Sequence, residues 1–192
     1  MRSKRIIIGL VGEPSGGKDT AADYLVKKYN FEHISTGDLV REYITKNKLG
    51  NLTRKNLKKN AIKLREQFGS DYLANIALQN AKSNNVVISG LRTIPEAHSI
   101  QLNKGIVLCV NADIRTRYQR AKARGRVGEN IDFESFKKTQ LSEERGEGPH
   151  EQNVEAVMSI ADQNISNDGT LEDLHKQLDE FMSHIFKQSQ SN

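Results

Sequence analysis

Apolar and polar positions follow two rhythms along this chain. Short unbroken apolar runs recur at 5–12, 31–35, 85–89 and 105–111, with a weaker one at 163–167. Runs of roughly four to eight such residues fit strands covered on both faces, as in a parallel sheet between helical layers. Between them the apolar positions return every third or fourth residue. That spacing predicts helices over 20–29, 38–47, 54–68, 71–83, 113–123, 133–144 and 171–186. Gly69-Ser70 reads as a helix stop followed by a new N-cap, and Gly169 or Thr170 as the cap of the last helix. Strand and helix alternate, which predicts an α/β doubly wound five-stranded parallel sheet with right-handed crossovers.

The spacing between runs divides the chain further. Roughly fifty residues without a strand separate the second and third runs, more than one crossover needs. A helical lobe over 36–83 is therefore expected on the carboxyl edge of the sheet. Residues 124–148 are rich in Arg, Lys, Glu and Gly and poor in apolar residues, as a short lid would be. The core is then 1–35, 84–123 and 149–187, with a frayed polar end after 187.

Composition narrows the classes. At 192 residues the chain suits a single domain. Its longest apolar stretch is the first strand, too short for a secretory or membrane-spanning segment. Cys109 is the only cysteine and lies in an apolar run, so it reads as a buried small hydrophobe in a cytoplasmic protein. The 29 basic and 24 acidic residues leave a net charge of +5, which suits anionic ligands without forming a basic stripe. Aromatics are only 6% of residues, too few for a nucleic-acid platform. No nucleic-acid or membrane partner is expected, and the chain is expected to be a monomer or homodimer.

One segment carries chemistry directly. Gly12-Glu13-Pro14-Ser15-Gly16-Gly17-Lys18-Asp19-Thr20 joins the first strand to the first helix. Glycines let backbone N–H groups turn inward around phosphate oxygens, and the helix N-terminus adds partial positive charge. Lys18 supplies a point charge for the β- and γ-phosphates. This is a P-loop, and Gly12, Ser15, Gly16, Gly17, Lys18, Asp19 and Thr20 form the expected ATP site. Asp19 stands where Ser or Thr usually follows the lysine. Asp19 and Thr20 are the expected Mg²⁺-side groups.

Further motifs carry a resemblance. Ser35-Thr36-Gly37-Asp38-Leu39-Val40-Arg41 resembles the monophosphate-binding segment of adenylate kinases, and Ser89-Gly90-Leu91-Arg92-Thr93 resembles their second acceptor loop. The resemblance implies an acceptor site of Thr36, Gly37, Asp38, Arg41, Gly90, Arg92 and Glu96, with Arg41 and Arg92 gripping phosphate. Glu96 stands where those enzymes read adenine with Gln, and Ser89 where they hold Mg²⁺ waters with Asp. Asp19 is the candidate substitute for that missing carboxylate. The middle and C-terminal motifs (Thr53-x-x-Asn56-Leu57, Leu64-Arg65-Glu66, Ala161-Asp162 to Thr170) resemble archaeal and bacterial P-loop kinases of adenylate-kinase-like or dephospho-CoA-kinase-like type. That likeness spans the whole chain. It implies a P-loop NTPase fold and a donor site completed by Arg120, Asn167 and Gly169. It also implies lid arginines Arg124, Arg126 and Arg145, with Lys18, Arg41, Arg92 and Arg124 as the catalytic set. The expected activity is ATP- and Mg²⁺-dependent phosphoryl transfer to a nucleoside monophosphate. Dephospho-CoA kinase, with Asp38 as base, and a regulatory protein with weak ATPase activity are the alternatives.

Overall fold

The five apolar runs become strands β1 (Ile6–Val11), β2 (Glu32–Ser35), β3 (Asn85–Ser89), β4 (Ile106–Asn111) and β5 (Gln163–Ser166). They pair in the order β2-β3-β1-β4-β5, and each pairing is parallel. The computed structural model describes residues 5–125, 132–144, 148 and 150–190. Helices α1 (Lys18–Tyr29), α2 (Thr36–Lys46), α3 (Arg54–Phe68), α4 (Tyr72–Asn80), α5 (Ile94–Leu102), α6 (Ile114–Arg124), α7 (Phe133–Glu144), α8 (Val154–Ser159) and α9 (Leu171–Gln190) connect and cover the strands. No described helix is long and apolar enough to cross a membrane.

Each apolar run hides a period of two, because successive side chains point to opposite faces. Ile8, Leu10, Val87, Leu108 and Val110 pack with Ala21 and Leu25 of α1 and Leu174, Leu178 and Met182 of α9. Ile7, Val11, Val86, Ile88 and Val107 face the other way, onto Ala74 and Ala77 of α4, Ala97 and Ile100 of α5, and Val157 of α8. Covering both faces is what makes the strands read as continuous apolar sequence. In register, Leu10 of β1 lies opposite Ser89 on one side and Leu108 on the other, so β1 is central, with β2 and β3 to one side and β4 and β5 to the other. The P-loop leaves the sheet at that switch point, where an open α/β sheet forms its crevice.

Two helices depart from expectation. The sequence pattern left out α5 and α8. The first is signalled by chemistry rather than periodicity: Thr93 and Glu96 form a reciprocal capping box and Pro95 sits in the first turn. The second, Val154–Ser159, is too short to show a period. The expected lobe over 36–83 also divides. Val40 and Ile44 of α2, Leu64 of α3 and Leu73 at the start of α4 make a small separate core. By contrast Ala74, Ala77 and Leu78 place α4 in the sheet's own layer, as the crossover helix into β3.

The closing helix is fastened to α1 by a polar cluster. The Asp179 carboxylate accepts from the Tyr24 and Tyr29 hydroxyls at 2.7 and 2.6 Å and from Lys28 Nζ at 2.7 Å. His175 stacks on the Tyr24 ring at 3.9 Å. Desolvation pushes the Asp179 carboxyl up, but the hydrogen bonds from Lys28, Tyr29 and Tyr24 outweigh it and hold the group at about 2, below its ordinary 3.8. A depressed carboxylate stabilises the fold above its unfolded value, and that stability is lost as pH falls from 3.8 toward 2. The side chain is 36% exposed, so the contribution is on the order of 1 kcal/mol after screening. Asp179→Asn is expected to lower the melting temperature by about 2–4 °C at pH 7 and to flatten its decline below pH 4. An unchanged acid profile in differential scanning calorimetry would exclude this role.

Candidate active site

The P-loop shape is dictated by contacts as much as by glycine freedom. A Cβ on Gly12 would lie 2.1 Å from the Val110 carbonyl oxygen, so the loop can leave β1 only as glycine. Gly17 caps α1 with φ 106°, and a Cβ there would fall 1.9 Å from Asn167 Nδ2. Asn167, just past β5, donates Nδ2 to the Gly16 carbonyl at 3.0 Å and its backbone N–H to the Asn111 carbonyl at 2.7 Å. The end of β5 therefore staples the loop. The helix that follows opens with Lys18, Asp19 and Thr20, and its N-terminal dipole points into the crevice.

These groups line a cavity of about 510 Å³ with Arg120 and Arg124 of α6. Arg124 Nη2 donates to Ser15 Oγ at 3.0 Å, and Arg120 Nη2 reaches the Gly169 carbonyl at 3.5 Å. Arg120 Nη1 is buried with no partner among the described residues. A buried guanidinium N–H without an acceptor costs free energy until it meets one. Lys18, Arg120 and Arg124, the helix dipole and this orphan donor fit a bound polyphosphate. Leu171 and Leu174 add an apolar stretch to the wall. Asp19 and Thr20, exposed on the same cavity, offer the oxygen ligands that Mg²⁺ takes beside substrate phosphates. The structure thus brings Ser15, Gly17, Lys18, Asp19, Thr20, Arg120, Arg124 and Asn167 together around one cavity, although they derive from three separate stretches of sequence.

The residues expected on the acceptor side follow the neighbouring strands β2 and β3. Thr36 Oγ1 donates to the Gly90 carbonyl at 2.8 Å, which ties the start of α2 to the loop after β3. Arg41 pairs with Asp38 at 2.7 Å on the exposed first turns of α2, beside Gly37. Arg92 follows β3, with its backbone carbonyl accepting from Asn153 N at 2.8 Å. Ser89 ends β3, and its hydroxyl lies 2.8 Å from His33 Nε2. His33 was not among the sequence candidates, because nothing local marks a histidine that pairs across 56 residues.

Glu96 is a correction. It was expected on the acceptor, but it is 0% exposed and both its oxygens are engaged. Oε1 accepts from Arg65 Nε and Nη2 at 3.0 and 2.9 Å. Oε2 accepts from the backbone N–H groups of Arg92 and Thr93 at 2.7 and 3.3 Å. A carboxylate neutralised by a guanidinium and saturated by backbone donors has no lone pair left to read a base. Arg126 and Arg145 lie outside the described residues. Cys109 is buried, and burial, with the Glu13 charge second, pushes its thiol up to about 11, which excludes it as a nucleophile at neutral pH.

Comparison with known proteins agrees with this geometry. Residues 11–137 match the family described as an AAA domain. The chain is 34% identical to a UPF0200 protein of Methanocaldococcus jannaschii over 94% of this chain and 90% of that one. It is 30% identical to a UPF0200 protein of Thermococcus gammatolerans over 95% and 96%. Among solved structures, shikimate kinase from Bacteroides thetaiotaomicron superimposes with a TM-score of 0.64 at 16% identity, over 93% of this chain and 98% of that one. Shikimate kinase from Aquifex aeolicus gives 0.55 at 15% identity, over 93% and 96%. At such identities the likeness is one of fold, that of the P-loop kinases.

Proposed function

This chain belongs to the UPF0200 family and to the AAA domain family, and from that premise we propose that it transfers the γ-phosphoryl group of ATP to a nucleoside monophosphate. The observation that carries the reading is the placing of Arg41, on the helix that leaves β2, and Arg92, just past the adjacent β3, on segments that the Thr36–Gly90 bond ties together. Two guanidinium forks beside a P-loop suit an acceptor that is itself a phosphate. In the transfer, the bond from the γ-phosphorus to the β–γ bridging oxygen breaks. A bond from the acceptor's phosphate oxygen forms, giving ADP and a nucleoside diphosphate.

Lys18, the P-loop amides and Arg124 neutralise the transferring charge, and Arg41 and Arg92 hold the acceptor in line. Thr36, Gly37, Asp38 and Gly90 form its floor. Arg120, Asn167 and Gly169 border the donor's nucleoside end. No covalent intermediate is needed, because the rate comes from positioning and electrostatics. Bound Mg²⁺ supplies charge neutralisation on the β- and γ-phosphates, and Asp19 and Thr20 would hold it. Asp19→Gly is expected to lower Mg²⁺-dependent turnover by on the order of 10²-fold. It should also weaken Mg²⁺·ADP binding while sparing metal-free ADP binding, measured by calorimetry. Equal Mg²⁺ dependence in both proteins would remove Asp19 from this role.

A second reading is favoured by the Asp38–Arg41 ion pair, which offers a carboxylate base to a hydroxyl acceptor such as the ribose of dephospho-CoA. One assay separates them. ATP is incubated with ribo- and deoxynucleoside monophosphates, dephospho-CoA and shikimate, following ADP and phosphorylated product. Transfer to a monophosphate supports the first reading and transfer to a hydroxyl the second. ADP without a phosphorylated acceptor defeats both and leaves an ATP-hydrolysing regulator.

A further inference from the structure

The P-loop has a rear support that phosphoryl transfer as described does not use. Arg117, on α6, is 4% exposed and directs its guanidinium three ways. Nε donates to the Ala112 carbonyl at 3.1 Å, and Nη1 donates to Gln140 Oε1 of α7 at 3.0 Å. Nη2 lies 2.8 Å from Glu13 Oε2. Glu13 is the second residue of the P-loop, and the same oxygen accepts from Asn111 Nδ2 at 2.7 Å, from the end of β4. Gln140 is itself buried, at 3% exposure. A planar guanidinium matched on three sides has one orientation, and a carboxylate shared by two donors follows it.

The same helix reaches the front of the loop. Arg120 and Arg124 stand about one and two turns beyond Arg117 along one side of α6. Arg124 holds Ser15 Oγ at 3.0 Å. Glu13 and Ser15 flank Pro14, so α6 grips the P-loop on both sides of its turn. The orientation of Arg117 also sets the rotation of α6 that aims Arg120 and Arg124 at the cavity.

We infer that Arg117 is a positioning residue for the donor nucleotide. Through Glu13 it holds the P-loop in its phosphate-accepting shape, and through Gln140 it makes that shape depend on how α7 packs against α6. This rests on the nucleotide-binding reading above. The backbone amides of a P-loop act together only when they converge on one oxygen set. A loop displaced by the loss of its rear support therefore loses affinity although no residue touching ATP has changed.

The test measures ATP affinity by calorimetry, KM and kcat for ATP, and melting temperature. Glu13→Gln and Arg117→Met are each expected to weaken ATP binding on the order of tenfold, mostly through KM. The double variant should be no weaker than the worse single one, because the two groups act as a unit. Gln140→Leu, which touches only the outer end, should weaken binding by a smaller factor. A support with no part in binding would instead lower the melting temperature and leave KM for ATP unchanged. That result, or losses that add in the double variant, overturns the inference. Should Arg117→Met fail to fold, wild-type affinity in both Glu13→Gln and Gln140→Leu overturns it alone. A wild-type chain that binds no ATP overturns the inference together with the reading beneath it.

Discussion

Lys18→Met is expected to reduce phosphoryl transfer by at least about 10³-fold, with the melting temperature within about 2 °C of wild type. Lys18 opens α1, only partly buried, where the strand, loop and helix dipole converge on the cavity. Its removal deletes a charge from the place where negative charge is densest as the γ-phosphoryl group moves. It takes no apolar surface from the core, so the fold has little to lose. Lys18→Arg should restore little, since a flat five-donor fork does not substitute for a compact ammonium in a loop shaped around one oxygen set. Steady-state kinetics beside a thermal melt separates the two quantities. A variant that keeps more than about a tenth of wild-type turnover would remove Lys18 from the transition state.

Arg65→Met is expected to cost about 3–5 kcal/mol, the largest stability effect among the polar residues described. Arg65 is 2% exposed and Glu96 0%, and they meet at 2.9 Å. Removing the guanidinium leaves a carboxylate desolvated against only the Arg92 and Thr93 amides. At about 2–4 °C per kcal/mol the melting temperature should fall by roughly 10 °C. Adding Glu96→Gln in the same chain should recover part of that loss, because a neutral amide tolerates burial far better than an unpaired charge. The pair also decides what Glu96 does. As a structural anchor, Glu96→Gln lowers stability and leaves the order of preference among nucleoside monophosphates unchanged. A change in that order, measured with the acceptor panel, would return Glu96 to the acceptor site.

These two positions mark the boundary of what could be read from residues in order. Lys18 was legible because every part of its setting is local: an apolar strand, a glycine-rich turn and a helix start lie within about fifteen residues. The places of Thr36 to Arg41 and of Arg92 in the fold were legible for a similar reason, each following a strand end. Glu96 was misread because its true partner is Arg65, 31 residues earlier on another helix. The motif around it showed the capping box and not the ion pair. Arg117 was overlooked because its neighbours Arg120 and Arg124 carry the same charge, and only burial separates a support from the residues that line the cavity. The double packing of α4 could not be read for a related reason, since an apolar helix face does not state which core it joins.

The sequence by itself determined the five strands, most of the helices, the parallel class of the sheet and the phosphate loop. All of these follow from periodicity and backbone stereochemistry, which act over a few residues. Only the tertiary structure decided which charged groups face the cavity and which stand behind it. Burial and hydrogen-bond saturation depend on partners brought together from distant segments, and they turn identical side chains into a cavity-lining group at Arg124, a prop at Arg117 and an anchor at Arg65.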